Sequence, residues 1–386
     1  MFSIPTKFNL AKAAVFKDTP AYVQFYITAR CNLTCEQCNI IYANADVREC
    51  SLYEINKMAD NFAKMGVAII LLTGGEPFAR KDLPDIIKAF ESRGVHVRMQ
   101  TNGFASEEQI VKCIESGGRD ISISLDSLQP HNQDKINGQF KDSWHKALKS
   151  ISLFTKHLPK KGSFASLGCV LSKSNLEEVK DVIRFGTKIS WFTSLVPIHV
   201  SNYAHPRGFR TFDQKMKFED CHFDKIDNLI EDIRRMRKQG YLLYDSDQYL
   251  DDIKRFTKGL ETSWRSKNDN VCDSPNLYFA VLPNGHFQPC CDFRIKNSYP
   301  TYADDFPKKY KEKSFRDEVF ETTSACDGCM YGSYPEITIS LRYMSAKIQR
   351  AKTFFSAPPK KNNWPLSYEE LVDISQDILN SNAKEN

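Results

Sequence analysis

Between residues 22 and 198 the chain alternates six times between a short apolar stretch and a segment of helical period. No other feature restricts its fold so tightly. YVQFYIT (22–28), VAIILLT (67–73), VHVRMQT (95–101), DISISLD (120–126), SFASLGCVL (163–171) and SWFTSLVPI (190–198) read as strands. Between them, apolar residues recur on one helical face: Leu52, Ile55, Met58, Phe62 and Met65; Leu83, Ile86, Ile87 and Phe90; Trp144, Leu148, Ile151 and Phe154; Leu176, Val179, Val182 and Ile183. Capping boxes mark three helix starts, Ser51 with Glu54, Ser106 with Gln109 and Ser174 with Glu177. Strands that alternate with helices pair in parallel through right-handed crossovers, as an open wound sheet or a partial barrel. Reactive groups then gather at the strands' C-terminal ends. CNLTCEQC follows the first strand, TGGEP closes the second, TNG the third and SLDS the fourth, so all four motifs share one rim.

Residues 1–21 form an N-terminal extension, 22–200 the barrel and 201–270 a helical connection with helices near 212–238 and 247–260. A second cysteine-bearing domain spans 271–335, and helices with a tail occupy 336–386. Within the last segment, SLRYMSAKIQRAKTFF (340–355) reads as one basic helix, SAPPKKNNWP as a linker and 367–380 as an amphipathic helix. A net charge of +5 in 386 residues does not argue for nucleic acid. Lys7, Lys12 and Lys17 interrupt the N-terminal apolar residues before a signal-peptide core forms, and no later run is long enough to span a bilayer. The expected location is therefore the cytoplasm. There twelve cysteines stay reduced, which makes their clustering a question of metal binding.

Cys31, Cys35 and Cys38 offer three thiolates from one loop, with the next cysteine, Cys50, twelve residues away. A structural zinc site or a ferredoxin loop normally supplies four ligands. Three leave one iron of a 4Fe-4S cluster open to a substrate or cofactor. CxxxCxxC after the first strand, with GGEP after the second, resembles the radical S-adenosylmethionine (SAM) superfamily over residues 22–200. That resemblance implies an α/β fold: a partial (β/α)6 TIM-like barrel, with SAM chelating the open iron and being cleaved to a 5'-deoxyadenosyl radical. It assigns Cys31, Cys35 and Cys38 as cluster ligands and Gly74, Gly75, Glu76 and Pro77 as the loop that receives the methionine amino end. Glycine permits close backbone approach, and Glu76 can accept from an ammonium. In DISISLDS the alternation sends Ser122, Ser124 and Asp126 to one face, so Ser124 and Asp126, with Asn102 nearby, are candidates for ribose and carboxylate contacts. Gln37 departs from the aromatic residue common in the family before the last cysteine.

Cys272, Cys290, Cys291, Cys326 and Cys329 form a second group. YFAVLPNGHFQPC reads as a hairpin turning at Asn284-Gly285, so Cys290 emerges at its end and Cys291 points to the opposite side if the strand continues. Zinc would suit four cysteines. The order of Cys272, Gly285, Cys290 and the Cys326–Cys329 pair resembles the SPASM/Twitch extension. This implies a C-terminal β-hairpin plus helix domain in which Cys272, Cys290, Cys326 and Cys329 hold an auxiliary 4Fe-4S cluster that accepts an electron during substrate oxidation.

At the end of the sixth strand, His199, Asn202, Tyr203 and His205 are candidates for substrate binding or proton transfer. The short N-terminal extension leaves no room for a leader-peptide domain, which favours a small hydroxylated metabolite of sugar or cyclitol type. Modification of a ribosomal peptide or protein is the alternative, and a non-catalytic iron-sulfur electron carrier is a third reading. The enzyme reading also requires an external one-electron donor such as flavodoxin or ferredoxin.

Overall fold

The computed structural model describes residues 2–40, 46–201, 210–265, 272–355 and 361–382. Helix α1 (Ile4–Phe16) leads into β1 (Tyr22–Thr28), followed by α2 (Leu52–Met65), β2 (Ile69–Gly74), α3 (Leu83–Glu91), β3 (His96–Thr101), α4 (Glu107–Glu115) and β4 (Asp120–Ser124). Then come α5 (Pro130–Ile136), α6 (Ser143–His157), β5 (Phe164–Leu171), α7 (Val179–Lys188) and β6 (Phe192–Pro197). Each of the six expected strands forms. Neighbours along the chain pair in parallel from β1 to β6, so the helices fall on the outer face and the strand C-termini face one way.

The helices dock by the stripes the sequence shows. In α2, Ile55, Met58, Ala59, Phe62 and Met65 are buried, and the Ser51–Glu54 capping box closes with both reciprocal bonds. Ser106 also caps its helix, but the Gln109 side chain donates to the carbonyls of Phe78 and Arg80 at 3.0 Å each instead of returning to the cap. The third box does not form. α7 begins at Val179, because Asn175 takes over the preceding turn by accepting from the Ser172 N–H and donating to the Val170 carbonyl.

Helices α8 (Asp220–Lys238) and α9 (Asp247–Thr257) make the connection, the first starting later than its pattern suggests. Strands β7 (Tyr278–Val281) and β8 (Phe287–Gln288) form the expected hairpin, with Gly285 at φ +79° in its turn. β7 also pairs in parallel with β1, Tyr22 to Tyr278 through Phe25 to Val281. The sheet therefore has eight strands in the order β6-β5-β4-β3-β2-β1-β7-β8. Phe62 of α2 packs on Phe279 of β7 at 5.6 Å between ring centroids, and Asn61 donates to the carbonyls of Thr301 and Ala303, so the two parts share a core.

Short helices α10 (Phe306–Lys309) and α11 (Lys313–Thr323) precede the CDGC loop. The basic segment is two helices, α12 (Ser333–Arg342) and α13 (Met344–Phe355), because Tyr343 between them is extended (φ −108°, ψ 120°). The final helix α14 (Tyr368–Asn382) lies on α6 and α7. Arg98 fills the N-terminal end of the barrel, donating to Tyr244 and Ser166 beside Asp120. Among the described residues no helix is long and apolar enough to cross a membrane.

Candidate active site

The cysteine loop is fastened to the strand ends by backbone contacts that only glycine permits. Gly75 N–H donates to the Thr28 carbonyl and Glu76 N–H to the Arg30 carbonyl, each at 2.8 Å. A Cβ at Gly74 would lie 2.2 Å from the Thr28 carbonyl oxygen, and one at Gly75 would lie 2.1 Å from that of Arg30. Gly74 also has φ +137°, a conformation L side chains rarely adopt. The GGEP turn thus lies directly against the residues that enter Cys31.

Glu76 is buried and accepts three hydrogen bonds, from Phe78 N–H (2.9 Å), Thr101 Oγ1 (2.8 Å) and Asn102 N–H (2.7 Å). Its carboxylate joins the ends of β2 and β3, and burial pushes its pKa up to about 7. Asn102, held in this way, donates to Asn32 at 2.9 Å and reaches the Cys31 sulfur at 3.6 Å. From the other side, Cys35 Sγ lies 3.5 Å from Asn137 Oδ1, and a Cβ at Gly138 would strike the Thr34 carbonyl at 2.4 Å. Gln37 donates to Asp126 Oδ2 at 3.1 Å, while Asp126 Oδ1 accepts from Val170 N–H at 2.6 Å. Gln37 thus ties the cysteine loop to the segment that follows β4. Burial raises the Asp126 carboxyl to about 6.

Burial raises all three thiols. Cys35 is pushed further by Cys38, Asp126 and Cys31, and Cys38 rises to about 11 by burial and then Cys31. Reactive cysteines show the opposite, a lowered pKa beside a cation. Three partly buried sulfurs that repel one another as thiolates suit a shared cationic centre, which removes their protons outright.

The second group also assembles. Burial, then Cys290 and Cys326, pushes Cys272 up to about 12. Cys326 rises to about 11 by burial and then Cys290, and Cys329 rises by burial, Cys326, Asp292 and Cys290. β8 ends at Gln288, so strand alternation does not reach Cys291, and its thiol contacts that of Cys290. A tetrahedral zinc site, with Zn–S of about 2.3 Å, holds its sulfurs roughly 4 Å apart. Among the described residues only Glu219, Cys221 and His222 bring three ligand atoms within 4.8 Å of one another, and no three cysteine sulfurs of either group do so. No disulfide links any of the twelve.

Residues 25–186 match the family model described as "Radical SAM superfamily". Over that stretch, less than half of its length, the chain is similar to the radical SAM superfamily. Two solved structures of similar fold, SuiB and anSMEcpe, have S-adenosylmethionine bound. Over 271 residues the chain is 26% identical to "Fe-coproporphyrin III synthase" of Methanosarcina barkeri, a match covering 69% of this chain and 60% of that protein. The chain thus spans less than two thirds of that relative's length. Its fold is similar to that of Streptococcus suis SuiB bound to the precursor peptide SuiA (TM-score 0.59, 15% identity, 81% of this chain and 69% of that one). It is also similar to anSMEcpe with bound AdoMet and the Cp18Cys peptide (TM-score 0.56, 14% identity, 95% of this chain and 100% of that one).

In this chain, Gly74, Gly75, Glu76, Asn102 and Asp126 converge on the cysteine loop. Pro77 opens a 3-10 turn after Glu76, and Ser124 is half-buried at the end of β4. His199 is placed differently from its reading as a substrate residue. It is buried, its Nε2 accepts from Met330 N–H at 2.8 Å, and a second hydrogen bond joins it to the Pro197 backbone. Its ring stacks on Tyr331 at 3.9 Å between centroids, and burial followed by the nearby Arg210 charge lowers its pKa, so it is a neutral brace for the CDGC loop. Asn202, Tyr203 and His205 lie outside the described residues. Two braces escaped sequence reading. Arg210 pairs with Asp292 at 2.9 Å, both buried, and donates to the Gly328 carbonyl; no local pattern announces such a pair. Asn137-Gly138, which supports the first cysteine loop, is an Asn-Gly step and so a recognisable turn signal.

Proposed function

We propose that this chain is an enzyme that cleaves SAM reductively, abstracts hydrogen from an unactivated C–H bond and oxidises the resulting carbon. Cys31, Cys35 and Cys38 would hold the SAM-binding 4Fe-4S cluster, whose chemistry is one-electron reduction of the sulfonium. The single observation that carries this reading is the close seam between GGEP and residues 28–30. It brings Glu76, Asn102 and the Cys31 sulfur together beside three thiols that have no fourth cysteine partner in their loop.

Removing a hydrogen atom, and then an electron and a proton, is a two-electron oxidation that requires a nearby acceptor. Cys272, Cys290, Cys326 and Cys329 would hold an auxiliary 4Fe-4S cluster for that purpose, with an external carrier of flavodoxin or ferredoxin type completing the circuit. For the substrate, we infer a peptide or protein side chain. A small hydroxylated metabolite is favoured only if a peptide substrate requires a separate leader-binding domain. anSMEcpe, which the fold match covers in full, binds a peptide within a chain of comparable extent. The polar residues Ser122 and Ser124 on the barrel wall still favour a sugar-like substrate as the second reading.

Anaerobic reconstitution with iron, sulfide, SAM and dithionite tests the enzyme reading, with 5'-deoxyadenosine as product. Brown, iron-loaded protein that forms none would exclude it and leave an electron carrier. Mass spectrometry of a peptide pool against a sugar and cyclitol pool, each incubated with the loaded enzyme, then separates the substrate classes.

A further inference from the structure

Eight large apolar side chains stand exposed among the described residues, and six of them sit on two helices. Ile4, Phe8, Val15 and Phe16 belong to α1, Met344 and Ile348 to α13, and each is between 50% and 84% exposed. The two helices come from opposite ends of the chain but line one space beneath the N-terminal ends of the strands. There they border one cavity of about 420 Å³, lined by Lys7, Ala11, Tyr22, Ile69, Lys347 and Ala351 among others.

The helices carry the same pattern. IPTKFNLAKAAV and MSAKIQRAKTFF both place an apolar residue first, lysine three and eight positions later, and apolar residues four and seven positions later. At 3.6 residues per turn, the apolar positions occupy about 60° of the helix face, and the lysines flank them at roughly 60–80° on each side. Neither helix contains Asp or Glu, although the chain has 48 of them. Lys7, Lys12, Lys347 and Lys352 are exposed, and among the described residues their side chains make no hydrogen bond or ion pair.

We propose that α1 and α13 together form a docking face for an anionic lipid bilayer. An apolar stripe lying in the headgroup region, with lysines extending to lipid phosphates on both sides, is the pattern of an interfacial helix. Protein interfaces, by contrast, are depleted in lysine around their apolar core. The face lies at the barrel end opposite the cysteine loops, so docking leaves the reactive rim turned to solvent. The inference does not depend on the substrate.

Flotation of the full chain with vesicles tests it, comparing phosphatidylcholine alone with a mixture containing phosphatidylglycerol. The protein floats with the anionic vesicles, and Lys7→Ala/Lys12→Ala weakens partitioning about 30-fold, since each lysine near a charged surface contributes about fivefold. Raising the salt to about 0.5 M weakens it further by screening. Phe8→Ser/Ile348→Ser lowers binding without altering 5'-deoxyadenosine formation in solution. Folded wild-type protein that stays unbound would overturn the proposal, as would flotation indifferent to both double variants. A dimer seen by light scattering and dissolved by Phe8→Ser would also overturn it, because the face would then meet a second copy of the chain.

Discussion

Glu76 shows how one side chain can set the geometry of a site without performing chemistry. Its carboxylate satisfies two backbone N–H groups and a hydroxyl at the ends of β2 and β3. Glu76→Ala should lower stability by about 2–4 kcal/mol in denaturant titration, since each stranded buried donor costs about 1–3 kcal/mol. A second buried acid makes stability depend on pH. Glu336 accepts from Ser246 N–H at 2.8 Å and from its hydroxyl at 3.0 Å, and burial pushes its pKa up to about 7. The unfolded chain releases this proton near its ordinary value of 4.5, whereas the folded chain holds it until about 7. The residue's contribution to stability is therefore fullest below about pH 4.5 and declines as pH rises to about 7. Urea titrations at pH 5 and 7.5 should show wild type losing more stability across that interval than Glu336→Gln, by a margin on the order of 2 kcal/mol.

Among the elements, the turns after the strands decide more than the strands themselves. Gly75→Ala puts a methyl group 2.1 Å from the Arg30 carbonyl oxygen, and neither backbone can retreat without moving Cys31. The variant should fold, because the clash lies at the rim and not in the core. It should bind iron at the first site poorly and form 5'-deoxyadenosine at least about tenfold more slowly, since small misplacements of a catalytic group are costly. His199 illustrates the limit of reading an element from its sequence. A histidine after a barrel strand matches the pattern of a catalytic residue, but Met330, just after the CDGC loop, takes one ring nitrogen and the Pro197 backbone at the end of β6 takes the other.

At the scale of the molecule, the auxiliary unit continues the barrel sheet through β7, so the two cysteine groups are carried by one structural frame. Cys326→Ala/Cys329→Ala should reduce iron from about eight atoms per chain to about four. It should spare uncoupled SAM cleavage while abolishing the oxidised product; product formed at wild-type yield would end the electron-acceptor assignment. The sequence by itself determined six strands, their parallel order, the shared rim and the two cysteine sets, because these depend on periodicities and spacings only a few residues long. Tertiary structure alone decided the β1–β7 pairing, the Arg210–Asp292 and Gln37–Asp126 contacts and the withdrawal of His199. Each of these joins residues dozens to hundreds of positions apart, and the burial that fixes such pairs exists only once the chain has closed on itself.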